Sequence, residues 1–247
     1  MGAGSSSGGK KGELLETMAD HDESINCMVL SEDGSMLVTG SEDSTARMWS
    51  TKTEDTECLG VLRGHSSYIN AVGTFDTFVI TGSADSTIRK WDMTTCECLF
   101  VYEGHTSRIQ KILLTGDFIF SSSFDKTARA WLFDTSEIQD GEEDLSSFNI
   151  NIIITLSALF ENNISKNVQG HGKGVYPLIY IPVGDQDSGP TINPGDILLT
   201  GSADMTARSW SIESGGTLKQ FRGHNGAVTA MATDSTGRLD FITEQTN

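Results

Sequence analysis

Four stretches of this chain share one spacing, which restricts the fold more tightly than any other feature. They are Asp43-x-Thr45-x-Arg47-x-Trp49, Asp85-x-Thr87-x-Arg89-x-Trp91, Asp125-x-Thr127-x-Arg129-x-Trp131 and Asp204-x-Thr206-x-Arg208-x-Trp210. Thr, Arg and Trp recur at every second residue, which places them on one face of a strand; a helix would scatter them. A Ser stands two residues before each Asp (Ser41, Ser83, Ser123, Ser202), after a short apolar run: MLVTG, FVITG, FIFSS or ILLTG. Such runs read as buried strands. Ser-x-Asp-x-Thr reads as the tight turn that follows, because an Asp side chain accepts a bond from its own backbone two residues on. Further upstream lies His21, His65, His105 or His171, with Gly before all but the first. Runs such as CLFVYEGH and LKQFRGH close each unit as a fourth strand leading into the next Gly-His. Four short strands repeating about every 40 residues predict an all-β propeller blade.

These residues resemble the WD-repeat family, whose repeats open near Gly-His and close near Trp-Asp. Only Trp91-Asp92 keeps the full closing pair; the others read Trp49-Ser50, Trp131-Leu132 and Trp210-Ser211. The resemblance implies one hydrogen-bonded chain per blade, running from loop His to turn Asp and, through a strand hydroxyl, to the Trp indole. By position it assigns His21, Ser41, Asp43 and Trp49 to the first blade and His65, Ser83, Asp85 and Trp91 to the second. His105, Ser123, Asp125 and Trp131 follow in the third, and His171, Ser202, Asp204 and Trp210 in the fourth. Thr39, Thr81 or Thr200 is the alternative to the Ser. The four Arg residues are expected to stack or pair within their blades.

The expected organisation is a tail at 1–12 and a repeat region at 13–247, with repeats near 21–63, 64–103, 104–169, 170–222 and a partial one at 223–247. From Trp131 to Gly170 the spacing is more than twice that of the other repeats, so the third repeat carries an insert at 136–167. A strand at Ile150 to Leu156 and a segment without regular structure are both open readings there. A Gly-, Pro- and Asp-rich loop at 184–195 expands the fourth repeat. The fifth unit offers Ala227 to Ala232 and Leu239 to Thr243 as strands but no Trp. About four and a half blades are too few for a closed ring, so the expectation is an open arc with exposed strand edges at both ends, inviting self-association.

A Ser, His and Asp recurring together raises the thought of a nucleophilic triad. Fourfold occurrence in one register argues for a structural role, since a hydrolase needs one exposed nucleophile with an oxyanion hole. No catalytic residue is therefore assigned. One imidazole per repeat does not suit shared metal coordination. Neither glycine-rich phosphate motif is present, so no cofactor is expected. The formal charge of −17 disfavours a nucleic-acid partner, whose phosphates are bound by Lys and Arg. It leaves basic proteins as attractive ligands, although scattered acids also serve plain solubility. Cys27, Cys58 and Cys98 fall in apolar runs, where buried thiols are the default.

No run after Met1 resembles a secretory signal, and no apolar stretch reaches the length of a spanning helix, so a cytoplasmic location is expected. Met1-Gly2-Ala3-Gly4-Ser5-Ser6 fits the N-myristoylation pattern at Gly2, although Gly- and Ser-rich tails also match it by chance. One acyl chain would anchor only weakly and reversibly.

Function is expected to be non-catalytic: a protein–protein interaction scaffold or adaptor that uses loops held on a rigid frame. Glu42, Tyr68, Arg108, Phe124, Lys173 and Tyr176 are the expected protein-binding positions in those loops. The alternatives are a substrate receptor of a ubiquitin ligase and a truncated isoform without independent function.

Overall fold

The computed structural model describes residues 17–52, 56–116, 118–133, 170–182, 195–212, 215–233 and 239–244. Among these residues all regular structure is β: seventeen strands in five antiparallel sheets. The first sheet runs β1 (Ile25–Leu30), β2 (Met36–Ser41), β3 (Ala46–Ser50), β4 (Cys58–Leu62), each strand bonded to the next. The second repeats this order with β5 (Ile69–Phe75), β6 (Phe78–Ser83), β7 (Ile88–Asp92) and β8 (Cys98–Tyr102). The third contains β9 (Ile109–Thr115), β10 (Phe118–Ser123) and β11 (Ala128–Leu132). The fourth is again complete, from β12 (Val175–Ile181) through β13 (Ile197–Ser202) and β14 (Ala207–Ser211) to β15 (Thr217–Phe221). The fifth pairs β16 (Val228–Thr233) with β17 (Leu239–Glu244). The strand expected at Ile150 to Leu156, the Gly2 tail and most of the 184–195 loop lie outside the described residues.

Sheets meet face to face through their first strands: β1 on β5, β5 on β9, β9 on β12 and β12 on β16. The core is therefore a series of joints between neighbouring sheets. In the first, Val38, Met48 and Leu62 of sheet one pack on Ile69, Val79 and Trp91 of sheet two. The second joins Ala71, Ile80 and Tyr102 to Ile109, Ile119 and Trp131, and the third joins Phe120 and Ala130 to Leu178, Leu198 and Trp210. Each of the first four sheets thus has one apolar face forward and one, carrying its Trp, backward. The backbone approach is close: a Cβ on Gly40 would come within 2.5 Å of Ile69 Cγ2, and one on Gly82 within 2.7 Å of Ile109 Cγ2. Glycine at these strand positions is a packing requirement.

Among the described residues this architecture is a row of blades, as expected, but it corrects one geometric expectation. Because successive sheets stack by their faces, the row ends in sheet faces, and strand edges lie along its inner and outer margins. The thiols also differ from expectation. Cys98 is exposed, because its strand β8 is the outermost of its sheet, and Cys58 on the equivalent strand β4 is half-buried. Cys27, on an inner strand, has its thiol pushed up to about 12 by burial.

Lys90 is buried at the second joint, with Nζ 4.1 Å and 4.2 Å from the ring centres of Phe78 and Phe133, and it donates to the Phe133 carbonyl at 3.1 Å. Tyr102 donates to the same carbonyl, also at 3.1 Å. A cation is tolerated here because two rings and a carbonyl oxygen replace its water.

Candidate functional site: the loop face and the bonding chains beneath it

Every Ser-x-Asp-x-Thr segment folds as one turn with its fourth residue in the left-handed region: Ser44 at φ 68°, Ser86 at 74°, Lys126 at 77° and Met205 at 69°. The Asp side chain accounts for the shape. In the second sheet Asp85 Oδ1 accepts from Thr87 N at 2.9 Å and Thr87 Oγ1 at 2.7 Å. Its Oδ2 takes His65 Nδ1 at 2.8 Å and Ser66 N at 3.0 Å, tying the turn to the His loop. The same bonds to His are made by Asp43 (2.7 Å), Asp125 (2.7 Å) and Asp204 (2.9 Å).

Each imidazole continues the chain inward through Nε2. His21 meets Thr39 Oγ1 at 2.8 Å, His65 meets Thr81 Oγ1 at 2.7 Å, His105 meets Ser121 Oγ at 2.8 Å and His171 meets Thr200 Oγ1 at 2.8 Å. The same four hydroxyls accept from Trp49, Trp91, Trp131 and Trp210 Nε1, all at 2.8 Å. An indole can only donate and a carboxylate can only accept, which fixes the two ends of each chain, and the Nδ1–H tautomer of the imidazole then sets the middle bond. Each hydroxyl accepts from Trp and donates to Nε2, and Nδ1–H donates to Asp.

The bridging hydroxyl therefore corrects the assignment of Ser41, Ser83, Ser123 and Ser202. It lies two residues earlier, at Thr39, Thr81, Ser121 and Thr200. Register is the reason. Trp49 lies opposite Leu37, so Thr39 is its diagonal neighbour on the same face, whereas Ser41 is one side-chain row further away. The displaced serines fasten turn to loop instead. Ser83 Oγ accepts from Asp85 N at 3.1 Å and donates to Ser67 O at 3.0 Å, and the other three do likewise.

Burial alone would push the Asp43, Asp85, Asp125 and Asp204 carboxyls up. The bonds from His, Thr and backbone outweigh it and hold all four well below the usual carboxylate range. Burial lowers His105 from its ordinary value, against the pull of Asp125. Hydroxyl, imidazole and carboxylate thus stand in triad order, but each hydroxyl is wholly buried and already holds an indole. In this conformation these four oxygens cannot meet a substrate.

The arginines of the repeat lie over their tryptophans, with ring-centre distances of 5.9 Å for Arg89 and Arg129 and 5.8 Å for Arg208. Gly64, Gly104 and Gly223 adopt φ 157°, 153° and 125°, a backbone region that L side chains rarely enter, which accounts for the Gly before His. In the first sheet that position is Asp20, and it pairs instead with Arg47 at 3.6 Å.

The chains hold up a loop face. Beside each turn, the residue after its Ser bonds back to the His loop: Glu42 N to Ser24 O, Ala84 N to Tyr68 O, Phe124 N to Arg108 O and Ala203 N to Gly174 O, at 2.8 to 3.0 Å. Of the six positions expected to bind protein, the structure brings three together. The Arg108 guanidinium lies 4.5 Å from the Phe124 ring centre, and Phe124 meets Tyr176 edge-on at 6.4 Å. Tyr68 occupies the Arg108 position one sheet back and is 52% exposed, while Phe124 is 43% exposed. Lys173 is exposed in the His171 loop, and Glu42 is half-buried beside Ser24. Met205, in the left-handed position of its turn, is a further exposed apolar residue on this face that sequence reasoning missed. Its equivalence to Ser44, Ser86 and Lys126 was the available signal.

Stacked antiparallel sheets of up to four strands, four of them locked by their own loop-to-strand bonding chain, define the class as a repeat propeller. The WD domain, G-beta repeat family matches residues 12–50, 56–92 and 96–131. The chain carries WD40 repeats and has the fold of a WD40 propeller. It is 51% identical to WD repeat-containing protein 86 of Homo sapiens over 61 residues, which span 25% of this chain and 16% of that relative's length. Among solved structures, the WD40 beta propeller domain of Doa1 superposes with a TM-score of 0.63 at 22% identity, over 92% of this chain and 64% of that one. The computationally designed Ika8 protein does so at 0.62 and 22%, over 89% and 58%. At that identity these two likenesses concern the fold.

Proposed function

We propose that the chain is a non-catalytic protein-interaction scaffold or adaptor that recognises its partners on the loop face. The observation that carries this reading is the Arg108–Phe124–Tyr176 stack: a cation and two rings at the surface, anchored to loops that the His–Asp bonds hold in place. Rigid aromatic and Arg side chains lose little freedom on binding, which is why such residues dominate protein interfaces. WD40 propellers bind other proteins, and the tetrads of this chain tie its loops to the strands beneath them. Quantitative proximity labelling in cells tests the reading, comparing the full chain with a Tyr68→Ala/Arg108→Ala/Phe124→Ala variant. A specific group of neighbours should fall by roughly tenfold or more, the effect of losing one hot spot. An unchanged set of neighbours from a folded variant sinks the proposal.

The location proposed is cytoplasmic, with Gly2 acylation as a reversible tether. Among the described residues no helix is long and apolar enough to cross a membrane. Intact-mass measurement after expression in a eukaryotic host should show the mass of one myristoyl group, lost in Gly2→Ala; an unacylated terminus in the unmodified chain removes the tether.

A further inference from the structure

Charge on the loop face is not distributed like that of the whole chain. The face is built from the His loops 21–24, 65–68, 105–108 and 171–174 and the turns 41–44, 83–86, 123–126 and 202–205. Outside the bonding chains, its charged residues are Asp22, Glu23 and Glu42 on the first sheet, none on the second, Arg108 and Lys126 on the third, and Lys173 on the fourth. Acids and cations therefore occupy separate places, and the cations gather over the third joint although acids outnumber cations by 34 to 17 in the sequence. The net charge that made basic proteins attractive ligands does not describe this part of the surface.

Arg108, Lys126 and Lys173 are all exposed, and among the described residues no carboxylate pairs with any of them. The two acids in the adjoining turns are already occupied. Asp125 accepts from His105, Thr106 and Thr127, and Asp204 from His171, Gly172 and Thr206. The cluster also has a fixed centre. The Phe124 ring rests on the fourth sheet's loop, where a Cβ on Gly174 would come within 2.7 Å of Phe124 Cδ2, and its own N–H donates to Arg108 O at 3.0 Å. The Arg108 guanidinium is held over that ring by its flat face, with no hydrogen bond of its own among the described residues, so its planar N–H edge is left for a ligand. Lys126 follows Phe124 by two residues in the same turn, and Lys173 immediately precedes Gly174.

We propose that this patch binds an acidic peptide segment of a partner protein, in which Asp or Glu residues flank an apolar side chain. The proposal rests on the loop-face reading above and specifies the ligand. Charge complementarity identifies the occupant: the Arg108 fork bonds both oxygens of one carboxylate in its plane, and the ammonium groups of Lys126 and Lys173 attract further carboxylates as point charges. The apolar side chain covers Phe124 and Met205, both 43% exposed. Asp22, Glu23 and Glu42 repel the same segment at the first sheet, which confines it to the third and fourth.

Panning a displayed library of random short peptides on the purified full chain tests the proposal. Enriched sequences should be rich in Asp and Glu around an apolar residue. A fluorescein-labelled peptide of that kind should lose roughly tenfold or more in affinity for Arg108→Glu and for Lys173→Glu, and should bind less tightly as salt rises. Lys52→Glu makes the same charge change at an exposed position at the opposite end of the first sheet and should leave binding nearly unchanged. Arg108→Gln and Lys173→Gln, verified as folded by circular dichroism, should weaken binding in the same direction, so the result does not depend on the reversed charges being tolerated. Neutral or basic peptides that lose binding in Phe124→Ala overturn the acidic assignment and leave the loop-face reading standing. Acidic peptides that Lys52→Glu weakens as much as Arg108→Glu overturn it too, since they would be answering overall charge. Peptides indifferent to Phe124→Ala, or panning with no enrichment, overturn both readings.

Discussion

Asp85→Ala is expected to lower stability by roughly 3–5 kcal/mol, because several buried donors lose one charged acceptor together and each orphaned donor costs about 1–3 kcal/mol. Four donors converge on that carboxylate: His65 Nδ1, Ser66 N, Thr87 N and Thr87 Oγ1. Its side chain is 8% exposed, so water replaces little of what is lost. The imidazole loses the partner that fixes its tautomer, and Thr81 then faces a ring free to turn, which loosens the Trp91 indole at the end of the chain. For a protein of this size the loss corresponds to a fall of about 6–20 °C in melting temperature. Position within the row also matters. The second sheet is packed on both faces, so loosening it weakens two joints, whereas Asp43 serves the first sheet, which is packed on one. Asp43→Ala should therefore unfold a local part of the molecule at lower temperature and leave a later main transition. Tryptophan fluorescence and circular dichroism melts distinguish these outcomes. A shift of less than about 2 °C for Asp85→Ala, well under the expected range, would show that the bonding chain does not stabilise the sheet. A double-mutant cycle with His65→Ala should be strongly non-additive, because the two groups lose the same bond.

How much of this was legible in the sequence depends on how local each interaction is. The turns were readable because Ser83, Asp85 and Thr87 complete their bonds within five residues, and the strands because Thr, Arg and Trp alternate against an apolar run. The pairing of His65 with Asp85 was accessible only through repetition and resemblance, since twenty residues separate them. Which hydroxyl bridges to the indole was not decidable: Thr81 and Ser83 lie on the same face, and the choice rests on the cross-strand register that sets Trp91 opposite Val79. The sequence picked out Arg108, Phe124 and Tyr176 singly. Their assembly into a stack needs the third and fourth sheets to be neighbours, a contact that spans the insert. Likewise Lys90 had no visible reason to be buried until Phe78 and Phe133 were seen on either side of it. Alternation along β1 indicates which residues share a face. It does not tell which of those faces is buried, so Met28, which is 70% exposed, reads as ordinary core.

The second large effect is expected from acid. Asp43, Asp85, Asp125 and Asp204 titrate below their ordinary value when folded, so as pH falls the unfolded chain takes up protons first. The stability they provide is complete above the ordinary Asp value of about 4 and is lost progressively as pH falls through the lower, folded values. All four carboxylates act in the same direction, so their losses reinforce one another as pH falls. His105 acts in the same direction from a higher pH. Its folded value lies below the ordinary 6.5, so the unfolded chain again protonates first and stability begins to fall as pH drops below that point. The bonding directions explain why both steps harm the same structure. A protonated imidazole has no lone pair at Nε2 for the Ser121 hydroxyl, and a protonated carboxyl is a poorer acceptor for Nδ1–H. Urea unfolding followed by tryptophan fluorescence should thus show a modest fall in midpoint from about pH 7 to 5 and a steep one below about 4. All four indoles should report it, because each ends one of these chains. Imidazole nitrogen NMR at neutral pH should find Nδ1 protonated and Nε2 bare in His105. A midpoint that stays level or rises on acidification from about pH 6 to 4 would mean that the carboxylates are not held by the bonds described, and the bonding chains would lose their place as the main support of the sheets.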